Sequence, residues 1–316
     1  MTPPELGLAP WMLGGLAFVW GCLWGSFLNV VIYRVPLEMS VVRPPSHCPS
    51  CGAPVRPWDN VPIVSWLILR GRARCCGARV SPRYVVVELL GGVVSLGVAQ
   101  LVLRSAPAGA TLLHCGAMFL ADFALAMALV AAAFIDLSHM YLPDAITLGG
   151  TLFGLATPGL REMPWSTGFV GAAVGFVGVW LPFVVAYKFF RGRSGMGLGD
   201  AKLVMLTGAW FGWHGAAFAL FAGALQGTLV TIPLLLIHGR IDEPEAVRAD
   251  REYLTRAAAA GDEEARAVLD ADPLAHAPEE GLLAARIPFG PFLCLATIEW
   301  MLLGDRIRDA LPWLGA

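Results

Sequence analysis

Long apolar runs, broken by short polar punctuation, dominate the chain. Taken at about twenty apolar residues per membrane helix, they fall near 11–32, 84–103, 111–135, 145–160, 167–189, 201–213, 215–237 and 287–304. The sixth run is short and shares the break "WFGWHG" with the seventh. Backbone in hydrocarbon finds no water to bond, so each run is expected to be helical. Abundant Gly and Ala suit close helix–helix approach. The pattern therefore predicts an all-α polytopic membrane protein with about eight transmembrane helices.

Two polar stretches interrupt it. The sequence divides into a first helix (1–32), a small cytosolic cysteine-containing domain (33–83) and a larger transmembrane domain (84–316) with an acidic insert at about 238–286. Composition agrees: of 316 residues 57% are hydrophobic and only 15% charged, against about 25% charged in ordinary soluble domains. The first ten residues, "MTPPELGLAP", lack a basic segment, so the first run is expected to be a retained span. No phosphate-binding loop, dinucleotide fingerprint or nucleic-acid motif occurs, and no nucleic-acid partner is expected.

Basic residues orient the spans. Eight arginines lie between 34 and 83, Lys188, Arg191 and Arg193 follow the fifth run, and six arginines lie in 238–286. These three segments are expected in the cytosol. Asp136, closing the third run in "AAFIDLSHMYLPD", and Asp200, opening the sixth in "GMGLGD", then share one membrane depth on the cytosolic side.

An ionisable group in a span is costly and by default a functional candidate. The plainer alternative is that each aspartate caps a helix in the headgroup region. Paired carboxylates beside hydrocarbon do not both ionise easily; one holds a proton while the other activates water. Gly195, Gly197 and Gly199 allow backbone conformations and close approaches that side chains would block, so an extended peptide could lie beside Asp200. Gly197, Gly199 and Lys202 are accordingly grouped with the substrate loop.

Cys48 and Cys51 form a C-x-x-C knuckle, followed by the adjacent Cys75 and Cys76. In a reducing compartment such a cluster points to structural zinc before disulfides. Cys22, Cys115 and Cys294 lie within apolar runs and are expected to pack. Segment 241–280 carries twelve acidic residues against four arginines and is expected to be a solvated, partly helical insert of about two helices.

In order, "GSFLNVVIYRVP", "CPSCGAPVRPWDNVPIVSWLILRGR", "SPRYVVVELLGG", "FIDLSHMYLPDAIT", "GMGLGDAKL" and "IPFGPFL" resemble the bacterial type IV prepilin peptidases over most of the chain. The resemblance implies an inner-membrane G-x-G-D aspartic protease. Such enzymes remove the short basic leader of prepilins and pseudopilins and often methylate the new N-terminus from S-adenosyl-L-methionine. The catalytic pair would be Asp136 and Asp200, and Gly92 would match a glycine associated with methylation. Asp144, in "LPD", is expected to cap the fourth helix. One departure stands out: the family's second cysteine pair is also C-x-x-C, but Ala73 occupies the first of those places here.

The rival from another class is a proton-coupled transporter or channel using the paired carboxylates. Their place at the membrane edge, and the lack of an evident inverted repeat, weigh against it.

Overall fold

The computed structural model describes residues 9–107, 109–191, 195–239, 243–271 and 287–310. In chain order its helices are α1 (Pro10–Arg34), the short α2 (Val64–Ile68), α3 (Arg83–Ser105), α4 (Leu112–His139) and α5 (Asp144–Ala156). Then come α6 (Trp165–Val179), which runs through a π-helical stretch (Trp180–Ala186) into α7 (Tyr187–Arg191), and α8 (Leu198–His238). The series ends with α9 (Glu245–Ala259), α10 (Glu263–Ala271) and α11 (Gly290–Ala310). No β-strand occurs among the described residues, as the apolar runs predict; the only pairings of that type are isolated bridges, His47 with Pro54 and Arg72 with Arg79.

Five of the described helical segments are long and apolar enough to cross a membrane: Trp11–Arg34, Arg83–Ser105, Leu112–His139, Trp165–Phe190 and Leu198–His238. The fourth run forms the shorter α5, and the last forms the 21-residue α11. The sixth and seventh runs form one 41-residue helix with a break at Gly212 (φ 71°, ψ −176°). That backbone conformation is essentially open only to glycine.

The chain forms two compact units, residues 1–131 with 157–163, and residues 132–156 with 164–316. In the first, α1 and α3 meet through small residues. A Cβ on Gly91 would sit 2.5 Å from the Gly21 carbonyl oxygen, so only glycine permits this crossing. Ser95 Oγ donates to the Ala17 carbonyl at 2.7 Å, which satisfies its hydroxyl inside the helix pair. The loop after α1 is held by the buried Arg34, whose guanidinium donates to the Ser40 and Pro44 carbonyls.

The core of the second unit is the first half of α8. Leu203, Leu206, Thr207, Ala209 and Trp210 are buried there, packed by α5, α6 and α11. A Cβ on Gly208 would lie 2.1 Å from the Gly171 carbonyl of α6. Trp210 Nε1 donates to the Gly150 carbonyl of α5 at 2.9 Å. Thr207 and Thr297 pair their hydroxyls at 2.9 Å between α8 and α11. This half of α8 is therefore fixed on three sides, and Asp200 lies in its first turn.

The insert contains two described helices, α9 and α10, as its composition suggests. Asp262 Oδ1 accepts from the N–H groups of Glu264 and Ala265 and so caps α10. Residues 240–242 and 272–286 of the insert lie outside the described residues.

Candidate active site

Asp136 is in the last turn of α4 and is buried, only 5% exposed. The helix ends one turn later, where Met140 takes a positive φ of 51° and its N–H bonds the Asp136 carbonyl at 2.8 Å. The chain then returns through "YLPD" into α5. One Asp136 carboxylate oxygen accepts from the buried N–H of Gly290, at the start of α11, at 3.0 Å. A buried carboxylate needs such a donor, and a helix N-terminus supplies one with a favourable dipole.

Asp200 is the third residue of α8, and its Oδ2 accepts from the Gly197 N–H at 3.2 Å. This is the carboxylate half of a capping box. The buried side chain of Leu142 lies against both Gly199, next to Asp200, and Gly290, the donor to Asp136, and the wholly buried Cys294 is one turn further into α11. The segments that carry the two carboxylates thus come together where α4 ends and α8 and α11 begin.

The glycines act by leaving space. Gly195, Gly197 and Gly199 have no positive φ, so left-handed backbone is not what these positions require. A Cβ on Gly195 would lie 2.9 Å from the Tyr187 ring, and one on Gly199 3.2 Å from Leu142 Cβ. Buried Leu142 also lies 3.1 Å from where a Gly290 Cβ would be, so it wedges between the segments that carry the donors. The Gly195 N–H bonds the Phe183 carbonyl in the π-helical stretch at 2.8 Å, tethering the loop to the preceding span.

Lys202, one residue past Ala201 in α8, pairs with Asp144 at 2.6 Å. Asp144 is the first residue of α5, but its carboxylate accepts from Lys202 and makes no capping bond, contrary to the sequence expectation. Its charge still suits a helix N-terminus. Gly92 lies where α3 crosses α1, and a Cβ there would sit 2.6 Å from Cys22 Sγ. The Phe18 ring lies on the same side, 2.8 Å from that Cβ position.

The cysteine cluster closes despite Ala73. All four Sγ atoms of Cys48, Cys51, Cys75 and Cys76 lie within 4.8 Å of one another. Cys51–Cys75 is 3.4 Å, Cys48–Cys76 3.7 Å and Cys75–Cys76 3.9 Å. Four thiolates about 2.3 Å from a tetrahedral zinc stand about 3.8 Å apart, so the donor set fits. Two turns build it in the same way. Gly52 N–H bonds the Cys48 carbonyl and Cys48 N–H the Ala53 carbonyl; Gly77 N–H bonds the Ala73 carbonyl and Ala73 N–H the Ala78 carbonyl. Ala73 thus stands where Cys48 stands in the first turn, and the fourth thiol comes from Cys75.

The thiols differ in acidity. The N–H groups of Ser50 and Cys51 hold the Cys48 thiol down to about 6, whereas a hydrogen bond with Cys51 pushes Cys75 up to about 12.

Residues 19–102 match the bacterial peptidase A24 N-terminal domain, and residues 123–232 match the type IV leader peptidase family. The relatives named prepilin leader peptidase/N-methyltransferase include three from separate genera. That of Myxococcus xanthus is 36% identical, covering 93% of this chain and 91% of the relative. That of Aeromonas hydrophila is 36% identical over 72% of this chain and 83% of its own, and that of Neisseria gonorrhoeae 36% over 71% and 83%. No solved structure matches the chain significantly.

Proposed function

The chain belongs to the type IV leader peptidase family, and from that premise we propose that Asp136 and Asp200 together hydrolyse the leader of a prepilin. It is a prepilin peptidase and N-methyltransferase; the transporter alternative finds no support among its relatives. The observation that supports the assignment is that each aspartate accepts from a backbone N–H, Asp136 from Gly290 and Asp200 from Gly197, on segments that meet across Leu142.

The pair carries one proton. As water attacks the scissile carbonyl, the ionised carboxylate takes a proton from it and the protonated one gives its proton to the carbonyl oxygen. The tetrahedral diol collapses when the first carboxyl passes its proton to the leaving amine. The second regains one from a diol hydroxyl, so the pair returns to its starting state without a covalent intermediate.

The substrate is a basic leader followed by a long apolar helix, lying in the bilayer with its cleavage site at the cytosolic face of the inner membrane. Such substrates serve type IV pili or type II secretion. Eight spans fit this topology when α8 counts as two, divided at Gly212, with α5 and α11 as the short members. S-adenosyl-L-methionine would supply the methyl group to the new N-terminus, and Gly92, packed against α1, would act through the fit of α3 on α1. Zinc on Cys48, Cys51, Cys75 and Cys76 would tie residues 33–83 into one folded piece and takes no part in hydrolysis.

A prepilin peptide incubated with the purified protein in detergent should yield the shortened product. Asp136→Asn and Asp200→Asn should each yield none, and cleavage by either would overturn the assignment.

A further inference from the structure

Between α2 and α3 lies an open cleft of about 520 Å³, lined by Trp66, Arg70, Arg72, Arg79, Ser81 and Pro82 with Gly71 and Val80. Its walls are fixed. Trp66 Nε1 donates to the Val80 carbonyl at 3.1 Å, and the backbone pairs Arg72 with Arg79. Arg70 and Gly71 turn the chain with φ of 50° and 69°, and a Cβ on Gly71 would lie 3.0 Å from the Trp66 ring. The turn therefore lies against the indole.

The charge in this cleft is uncompensated. Residues 61–82 contain four arginines and no acid. The nearest acids on either side are occupied: Asp59 pairs with Arg74 at 2.9 Å, and Glu88 accepts from the Ile63 N–H at 2.6 Å. Arg70, Arg72 and Arg79 make no ion pair with any described residue, and all three are exposed. An anion is the fitting occupant.

Two features set the cleft beside apolar surface. Ser81 and Pro82 lead directly into α3, one of the long apolar helices. On the other wall, Val64, Leu67 and Ile68 of α2 are 50%, 60% and 71% exposed, an apolar face without a partner in this unit. Aromatic rings and arginines beside such a face are the usual furniture of a bilayer interface.

We propose that this cleft binds the phosphate of an anionic phospholipid, with Val64, Leu67 and Ile68 dipping into the acyl boundary beside it. The arginines take the phosphate oxygens, and the Trp66 ring lies at headgroup level. S-adenosyl-L-methionine fits poorly, since its sulfonium and ammonium outweigh its carboxylate and the cleft offers no acid. A basic leader is repelled for the same reason.

The test uses the full-length protein in phosphatidylcholine nanodiscs with rising phosphatidylglycerol, counting retained lipid by native mass spectrometry. Preference for phosphatidylglycerol should fall roughly fivefold for each arginine removed, in Arg70→Gln, Arg72→Gln and Arg79→Gln combined. Arg43→Gln with Arg56→Gln, on the same loop but outside the cleft, should leave it unchanged. Arg72→Lys with Arg79→Lys should retain most of it. An unchanged preference in the triple variant overturns the proposal, as does equal displacement by millimolar inorganic phosphate, which would make the cleft a soluble-anion site. A photoreactive phosphatidylglycerol on the unmodified protein should label residues 66–82. Labelling confined elsewhere overturns the proposal without recourse to any variant.

Discussion

Gly290 donates its backbone N–H to Asp136 Oδ2 at 3.0 Å across 154 positions of sequence, and a Cβ on that glycine would lie 2.7 Å from the same oxygen. The contact joins the end of α4 to the start of α11. It also explains why the residue between Phe289 and Pro291 has no side chain: any Cβ would push the carboxylate from its donor.

Gly290→Ala should therefore act on hydrolysis more than on folding. Displacing a reacting group by about 1 Å costs about a hundredfold in rate, so kcat for leader cleavage should fall by that order while KM changes little. Methylation of a pre-cleaved peptide by the same preparation checks that the protein is folded. Wild-type cleavage in this variant would mean that Asp136 does not need the Gly290 donor.

The cysteine site makes a sharper demand on sequence. Cys75→Ala should lose zinc, and adding Ala73→Cys should restore it, because the second turn repeats the hydrogen bonds of the first. Metal content by elemental analysis reads both outcomes. Affinity should rise with pH. Zinc requires thiolates: Cys48, held to about 6, is mostly ionised at neutral pH, whereas Cys75, pushed up to about 12, must give up its proton. Lowering the pH lets protons compete at every ligand and weakens binding. Proton release on adding zinc in weak buffer measures this directly.

Much of this architecture was legible in the sequence, and the failures have physical reasons. The apolar runs marked the helices because lipid leaves the backbone no other arrangement. Counting the helices between Asp136 and Asp200 was enough to expect their helix ends near one another. What stayed hidden were contacts made by backbone and by empty space. The Gly290 donor is an N–H, which every residue but proline carries, so no residue type marked it. Of the two uses the sequence allowed Gly195 and Gly199, unusual dihedrals or close approach, the structure uses close approach, to Tyr187 and Leu142. Cys75 looked misplaced because spacing records Cα order, while the cluster depends on where the sulfur reaches. Lys202 was grouped with the loop, whereas it lies in α8 and pairs with Asp144.

The break in α8 gives a stability test independent of catalysis. Gly212→Ala forces a Cβ into a conformation that costs about 1–3 kcal/mol for non-glycine residues, and that Cβ would lie 2.9 Å from Thr167 Cγ2. The detergent-solubilised protein should melt at lower temperature. Gly239→Ala, also at a positive φ (72°) but with nothing within 4 Å of its Cβ, should cost less. Equal losses would mean that α8 can straighten at Gly212 without strain.

The aspartates themselves carry the strongest expectation. Asp136→Asn and Asp200→Asn should each abolish leader cleavage, because an amide keeps the size of the carboxylate but cannot exchange the proton that hydrolysis moves. If both act on one water, the double variant should be no worse than either single one, since effects within one catalytic unit do not add. The pH profile should be bell-shaped, because activity needs a pair with one proton and falls when it holds two or none; its limbs belong to the pair and not to either residue. Asp144→Asn separates this site from its neighbourhood. Asp144 is 58% exposed and pairs with Lys202 on the surface, where an ion pair contributes at most about 1 kcal/mol. That variant should keep cleavage within a few-fold of the parent. Loss of cleavage in Asp144→Asn with retained methylation would move a third carboxylate into the machinery. Cleavage by a folded Asp136→Asn or Asp200→Asn protein would remove one of the two already placed there.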